Sequence, residues 1–276
     1  MNEDVLLIEN IEVEGTYPQG GLISVWTLNR PDKLNSLNSE SHNALKEACS
    51  MAESNDLIRV IVIRGAPPKS PAEGKRPKPA SFAAGADISE FLGKNSDDVR
   101  DFFEDNAWER VWNLTKPTIA MVDGFALGGG TELALSCDLR VASENAFLTT
   151  AFSRIGLSGD YGSSWFLTRL IGLAQAKELF YLSERINAEE AKSMGLVNQV
   201  FPQASFREQA LAYATKLANG PTQALSRMKK NLHLGLEQGL AESLILEATH
   251  LVESMCTDES KEAISAFMEK RAPKFH

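Results

Sequence analysis

The protein has 276 residues, with 28 Lys and Arg against 37 Asp and Glu, a net charge of −9 at neutral pH. Apolar residues make up 43% and charged residues 24%, ordinary globular proportions that exclude a fibrous or disordered chain. The acidic balance argues against a nucleic-acid-binding surface as the main function, and three dispersed cysteines (Cys49, Cys137, Cys256) exclude a disulfide scaffold and a zinc ribbon.

The first residues, MNEDVLLIENIEVEG, lack a cationic start, so no signal peptide is expected. Val5–Glu14 and Leu22–Leu28 are rich in Val, Ile and Leu, and Tyr17-Pro18-Gln19-Gly20-Gly21 between them is turn chemistry, so the two runs read as a hairpin. Ser39–Ser54 places Ala44, Leu45, Ala48, Met51 and Ala52 at helical spacing. Arg59–Arg64 (RVIVIR) is β-branched and stops at Gly65, the pattern of a buried parallel strand. Ala66–Ala80 carries five of the eleven prolines and a local charge of +3, which excludes helix and central strand and leaves an exposed basic loop.

Asp97–Leu114 reads as one helix, and Thr118–Val122 as a strand leading into Asp123-Gly124. A helix is expected over Thr131–Cys137, then short strands over Asp138–Ala142 and Ala146–Thr149. Alternating strands and helices imply an α/β core with crossovers. From Tyr161 the chain turns helical, with apparent capping boxes at Asn187–Glu190 and Ser205–Glu208 and one or two amphipathic helices over Leu236–Lys270. The expected division is a core over residues 1–200 and a helical lid or oligomerisation region over 201–276.

Gly128-Gly129-Gly130 stands where a strand runs directly into a helix. Glycines there either allow close packing or bare N–H groups beside a helix N-terminus, where negative charge is favoured: the physics of an oxyanion hole. There is no GxGxxG and no following Lys-Ser/Thr, so a dinucleotide or P-loop reading fails. Ala83-Ala84-Gly85-Ala86-Asp87 is a second small-residue turn that could supply the other donor. Glu132, one helical turn on, either complements the helix dipole or acts as a general acid/base. Asp160, in the glycine-rich turn Gly156–Ser164, is either a turn residue or a second acid/base. The four histidines show no metal-ligand spacing, and no run approaches the ~18 apolar residues of a membrane span.

Taken together, Leu28–Asn38 (LNRPDKLNSLN), Ser81–Asp87 (SFAAGAD), Gly124–Asp138 (GFALGGGTELALSCD) and Phe267–Phe275 (FMEKRAPKF) resemble, in order, the signatures of the crotonase (enoyl-CoA hydratase/isomerase) superfamily. The resemblance implies an α/β spiral of ββα units with a C-terminal helical trimerisation region. It implies an acyl-CoA thioester substrate, with CoA entering as part of the substrate, and no metal, nicotinamide or flavin. The backbone N–H groups of Ala84 and Gly129 would hold the thioester oxygen. Lys33, Leu34, Ala86, Asp87, Ile88 and Phe152 would contact substrate, as would Phe267 and Lys270 from a neighbouring subunit of a homotrimer or dimer of trimers. The basic loop 66–80 is a candidate phosphate contact or a solvated insertion. No nucleic-acid or membrane partner is implied, and a cytoplasmic location is expected.

Hydratases of the family pair Glu132 with a second glutamate four residues before the glycine matching Gly156, but Phe152 occupies that position here. Asp160, four residues after the same glycine, stands where relatives that isomerise dienoyl or ring-epoxide thioesters carry an aspartate, and where a dehalogenase branch carries its nucleophile. No histidine accompanies it, which weakens the dehalogenase reading. The leading expectation is a 2-enoyl-CoA hydratase using Glu132 with Asp160. A double-bond isomerase relying on Asp160 and an acyl-CoA-binding protein with little catalysis are its alternatives. Phe152, Trp165 and Phe166 are expected to form the apolar wall that raises a carboxyl pKa.

Overall fold

A computed structural model describes residues 4–13, 20–71, 74 and 76–275. Strands β1 (Leu6–Glu12) and β2 (Leu22–Leu28) form the expected antiparallel hairpin, Leu6 facing Leu28 and Glu12 facing Leu22. Most of the expected turn at Tyr17–Gly21 lies outside the described residues. Helix α1 (Ser39–Ser54) follows, capped by the Asn38 side chain on the Ser41 N–H, and β3 (Ile58–Gly65) comes next. Then come β4 (Ser81–Ala83), α2 (Ser96–Glu104) and α3 (Ala107–Asn113).

The single helix expected over Asp97–Leu114 is thus two. The first stops at Glu104, and Asn106 caps the second, its side chain accepting the Glu109 N–H at 2.8 Å. Next are β5 (Thr118–Val122), β6 (Phe125–Leu127), α4 (Gly129–Ser136), β7 (Leu139–Ser143), β8 (Phe147–Thr149) and α5 (Ser163–Leu182). Helix α4 starts two residues earlier than expected, because Gly129 and Gly130 lie within it.

The order repeats one device three times. In β3–β4, β5–β6 and β7–β8 the first strand joins the large sheet, the second joins the small sheet, and helix follows. The chain is therefore a spiral of ββα turns.

Strand β9 (Ile186–Asn187) closes the small sheet, order β4-β6-β8-β9, in which β4, β6 and β8 are parallel. Helix α6 (Ala188–Ser193) has the reciprocal capping box expected at Asn187 and Glu190, and β10 (Gln199–Phe201) closes the large sheet, order β1-β2-β3-β5-β7-β10. Helices α7 (Phe206–Ala218), α8 (Thr222–Leu234), α9 (Leu240–Met255) and α10 (Asp258–Glu269) complete the chain. The capping box expected at Ser205 is absent, because the Ser205 hydroxyl accepts from the Gln209 side chain at 2.6 Å instead.

Alternation along the buried strands divides the core between two faces. Ile61 and Ile63 of β3 face Trp108 and Leu133, while Val60 and Val62 face Phe206, Ala210 and Ala214 of α7. Among the described residues, no helix is long and apolar enough to cross a membrane.

Candidate active site

A cavity of about 810 Å³ opens where β4, β6 and β8 end. Ala84–Ala86 follow β4, Gly128 and Gly129 follow β6, and Thr150–Phe152 follow β8, all lining it. Loops at the carboxyl ends of parallel strands meet there because each crossover brings the next strand back in the same direction. Asp160 and Tyr161 line it from the turn before α5.

The three glycines serve three different needs. Gly128 takes φ +47° and ψ −127°, a conformation open to glycine, and turns the chain from β6 into α4. Gly130 packs so closely that an added Cβ would lie 2.1 Å from the Ala83 carbonyl oxygen. Gly129 begins the helix, so its N–H has no intrahelical acceptor. A Cβ built on it would reach within 3.4 Å of the Ala86 nitrogen.

That contact corrects the expected donor pair. The Ala84 N–H is already taken by the Leu34 carbonyl at 3.0 Å, so it cannot serve an oxyanion. Its neighbours Gly85 and Asp87 join Leu37 in a short bridge, through Leu37 N–H to Gly85 O and Asp87 N–H to Leu37 O. The Ala86 N–H meets no protein acceptor among the described residues and faces Gly129. Ala86 and Gly129 therefore present free N–H groups that lie side by side at the cavity.

Glu132 sits on the first turn of α4 with 0% exposure, behind the wall rather than on it. Both its carboxyl oxygens, and Asp160 Oδ1, are buried without a hydrogen-bond partner. Burial pushes the Glu132 carboxyl well above the usual carboxylate range, and the charge of Asp160 pushes it further. Burial alone raises Asp160 to about 6. Asp160 is the less enclosed of the two, and its charge and the burial of Glu132 both favour the protonated form of Glu132.

Tyr161 has φ +45°, unusual for a bulky residue, and is held from two sides. Its ring stacks on Trp108, centroids 4.0 Å apart and planes 5° from parallel, and its hydroxyl meets His42 Nε2 at 3.3 Å. Burial and then the Lys46 charge lower His42 to about 4, so the imidazole is neutral. The Trp108 indole N–H donates to the Gly129 carbonyl at 3.0 Å. Neither Trp108, Tyr161 nor His42 stood out in the sequence; the Asn106–Glu109 cap that positions Trp108 is the signal that could have found it.

Ile88 and Phe152 line the cavity. Asp87 does not: its carboxylate bonds Ser89 at 2.6 Å and Arg30 at 2.8 Å, which hold it below the usual range, so it braces the loop. Lys33 is exposed and Leu34 half-buried, beside Asp32, whose carboxylate pairs with Lys69 at 3.2 Å and whose carbonyl accepts from Lys78. Phe267 and Lys270 are exposed at the end of α10 and outside the cavity. Trp165 and Phe166 are also displaced: they line a second cavity with Trp112 and His233. The apolar wall beside Asp160 is formed instead by Phe91, Phe103, Phe152, Leu157 and Tyr161. Among the described residues, no group of three or more His, Cys, Asp or Glu is placed to hold a metal ion.

Residues 19–276 match the profile of the enoyl-CoA hydratase/isomerase family. The chain is 34% identical over 253 residues to a short-chain-enoyl-CoA hydratase of Clostridium acetobutylicum, spanning 91% of this chain and 93% of that one. It is 36% identical over 269 residues to a probable enoyl-CoA hydratase of Mycobacterium leprae, spanning 97% and 98%. A crystal structure of an enoyl-CoA hydratase from Bacillus anthracis superposes with a TM-score of 0.87 at 31% identity, over 98% of each chain. With the ββα spiral and the site at its strand ends, these matches place the chain in the enoyl-CoA hydratase/isomerase (crotonase) family.

Proposed function

We propose that the protein is a 2-enoyl-CoA hydratase. The observation that carries this reading is the buried, unpartnered Glu132 carboxyl and the cavity-lining Asp160, whose Oδ1 is likewise unpartnered, beside two unoccupied backbone donors, Ala86 and Gly129. The thioester carbonyl oxygen would sit between the two N–H groups. As water adds at C3, negative charge moves onto that oxygen, where each donor is worth ~10²–10³ in rate. Asp160, ionised and open to the cavity, takes a proton from the water. Glu132, still protonated, supplies the proton that C2 gains. A proton passed from Asp160 to Glu132 through solvent resets the pair. One neutral and one charged carboxyl is the division of labour that acid/base addition requires.

The likeness to proteins named enoyl-CoA hydratase supports the same reaction class. In this reading Lys33 and Leu34 contact the CoA nucleotide, and the basic loop beside them is a candidate contact for its phosphates. Phe267 and Lys270 of a neighbouring copy complete the site. Residues 201–276 would serve assembly into a trimer or dimer of trimers, except α7, which belongs with the sheet. Exposed Leu232, Leu240, Ile245 and Phe267 support that assembly, since such apolar patches mark interfaces. A reducing cytoplasm suits three free cysteines.

A specific observation favours one alternative. Phe152 fills the position of the second hydratase glutamate, and Asp160 is the carboxylate that lines the cavity. A lone aspartate could carry a proton between C2 and C4 of a 3-enoyl thioester, which is double-bond isomerisation. Glu132→Gln decides between them. Loss of about 10²-fold or more in crotonyl-CoA hydration supports the hydratase; full activity on a 3-enoyl thioester, with none lost, supports the isomerase.

A further inference from the structure

One wall of the cavity is a row of aromatic rings. The centroids of Phe91 and Phe103 lie 6.2 Å apart with planes 15° from parallel, and those of Phe103 and Tyr161 lie 4.9 Å apart at 42°. Phe152 lines the same cavity next to the glycines, one ring carbon 3.9 Å from where a Cβ on Gly128 would stand. Apart from the Asp160 carboxylate and Ser158, two polar side chains of this lining are engaged elsewhere. The Tyr161 hydroxyl meets His42, and the Thr150 hydroxyl donates to the Leu179 carbonyl at 2.8 Å. Tyr161 therefore offers the cavity its ring, which Trp108 fixes from behind.

We propose that this site selects an aryl-substituted enoyl thioester, with a phenyl-type ring on the acyl chain, over a four-carbon one. The proposal rests on the acyl-CoA reading above and names its substrate class. A four-carbon acyl group occupies on the order of 120 Å³, at ~30 Å³ per water-sized group. The cavity holds about 810 Å³, ample room for a ring beyond the thioester. A ring gains offset or edge contacts with a fixed aromatic row beyond what area burial gives. It also has fewer rotors to order than a flexible chain of equal carbon count.

Binding of saturated thioesters, which cannot be hydrated, tests this independently of catalysis. Calorimetric titration of the full-length protein would compare 3-phenylpropanoyl-CoA with butanoyl-CoA and with nonanoyl-CoA, which has the same nine acyl carbons as the phenyl compound. The phenyl thioester is expected to bind at least about fivefold more tightly than butanoyl-CoA and no more weakly than nonanoyl-CoA; anything less on either comparison overturns the proposal. Phe103→Leu should narrow the phenyl-to-butanoyl gap, and an unchanged gap would also overturn it. Crotonyl-CoA hydration together with a butanoyl preference would remove this proposal and leave the hydratase reading standing. No binding by any of the three would remove both.

Discussion

The indole N–H of Trp108 donates to the carbonyl of Gly129 at 3.0 Å while the same ring lies flat on Tyr161, the neighbour of Asp160. One side chain from α3 thus braces both the donor side and the acid side of the site. Trp108→Phe keeps most of the ring but removes this hydrogen bond from a carbonyl that also serves its own helix, which costs ~0.5–1.5 kcal/mol. We expect a lower melting temperature and a drop in kcat larger than the change in KM. A steady-state comparison checks this, and an unchanged kcat would show that the brace does not reach the chemistry.

Two adjacent glycines should respond oppositely to the same substitution. Gly130→Ala would press a methyl group to 2.1 Å from the Ala83 carbonyl, so the variant should be strongly destabilised or fail to fold. Gly129→Ala finds 3.4 Å to its nearest neighbour, the Ala86 nitrogen, so it should fold. Its methyl group occupies the space between the two donors, however, and activity should fall by ~10²–10³. Thermal melts alongside turnover separate the two outcomes.

The carboxyl pair predicts a pH profile. Asp160, raised by burial to about 6, must be ionised to act as base, so kcat/KM should rise as pH increases through about 6. It should fall again at higher pH as Glu132 loses its proton, because that group sits well above the usual range. Asp160→Asn should remove the acidic limb along with most activity.

Stability gives the opposite sign. A carboxyl whose folded pKa is raised leaves stability intact below its unfolded value near 4 and lowers it as pH rises through the folded value. Replacing Asp160 with Asn should therefore stabilise the fold above pH 6 and change little at pH 4. Melting temperatures of both proteins at the two pH values test the sign.

What the sequence conveyed follows the reach of each interaction. The hairpin, β3 and the Asn187 cap were legible because their patterns are local. The division of Asp97–Leu114 was missed, because the apolar periodicity running across it hides the cap at Asn106. Strands of two or three residues, such as β4, β6, β9 and β10, are too short to show a period. The donor at Ala86 rather than Ala84 is set by the Leu34 carbonyl, fifty residues away, and nothing in AAGAD states it. Trp165 and Phe166 illustrate the same point: they stand next to the Asp160 turn in sequence, yet α5 carries them to a different cavity.

The helices after α7 carry an assembly prediction. Leu240 and Ile245 of α9 are 77% and 70% exposed, and Phe267 of α10 is 82% exposed. Ile245→Glu should leave the ββα core folded while shifting sedimentation toward a single chain. If Phe267 and Lys270 act across the interface, KM for the acyl-CoA should rise in the same variant. Sedimentation and kinetics on one preparation check both.

The most direct test of the central claim is to incubate the purified protein with crotonyl-CoA and with a 3-phenylpropenoyl thioester in heavy-oxygen water, followed by mass spectrometry. A 3-hydroxyacyl-CoA carrying the heavy oxygen is expected from at least one of them, with the label lost in Glu132→Gln and Asp160→Asn. Tight binding of either thioester with no labelled product would contradict hydration and leave Asp160-dependent isomerisation as the chemistry of this site.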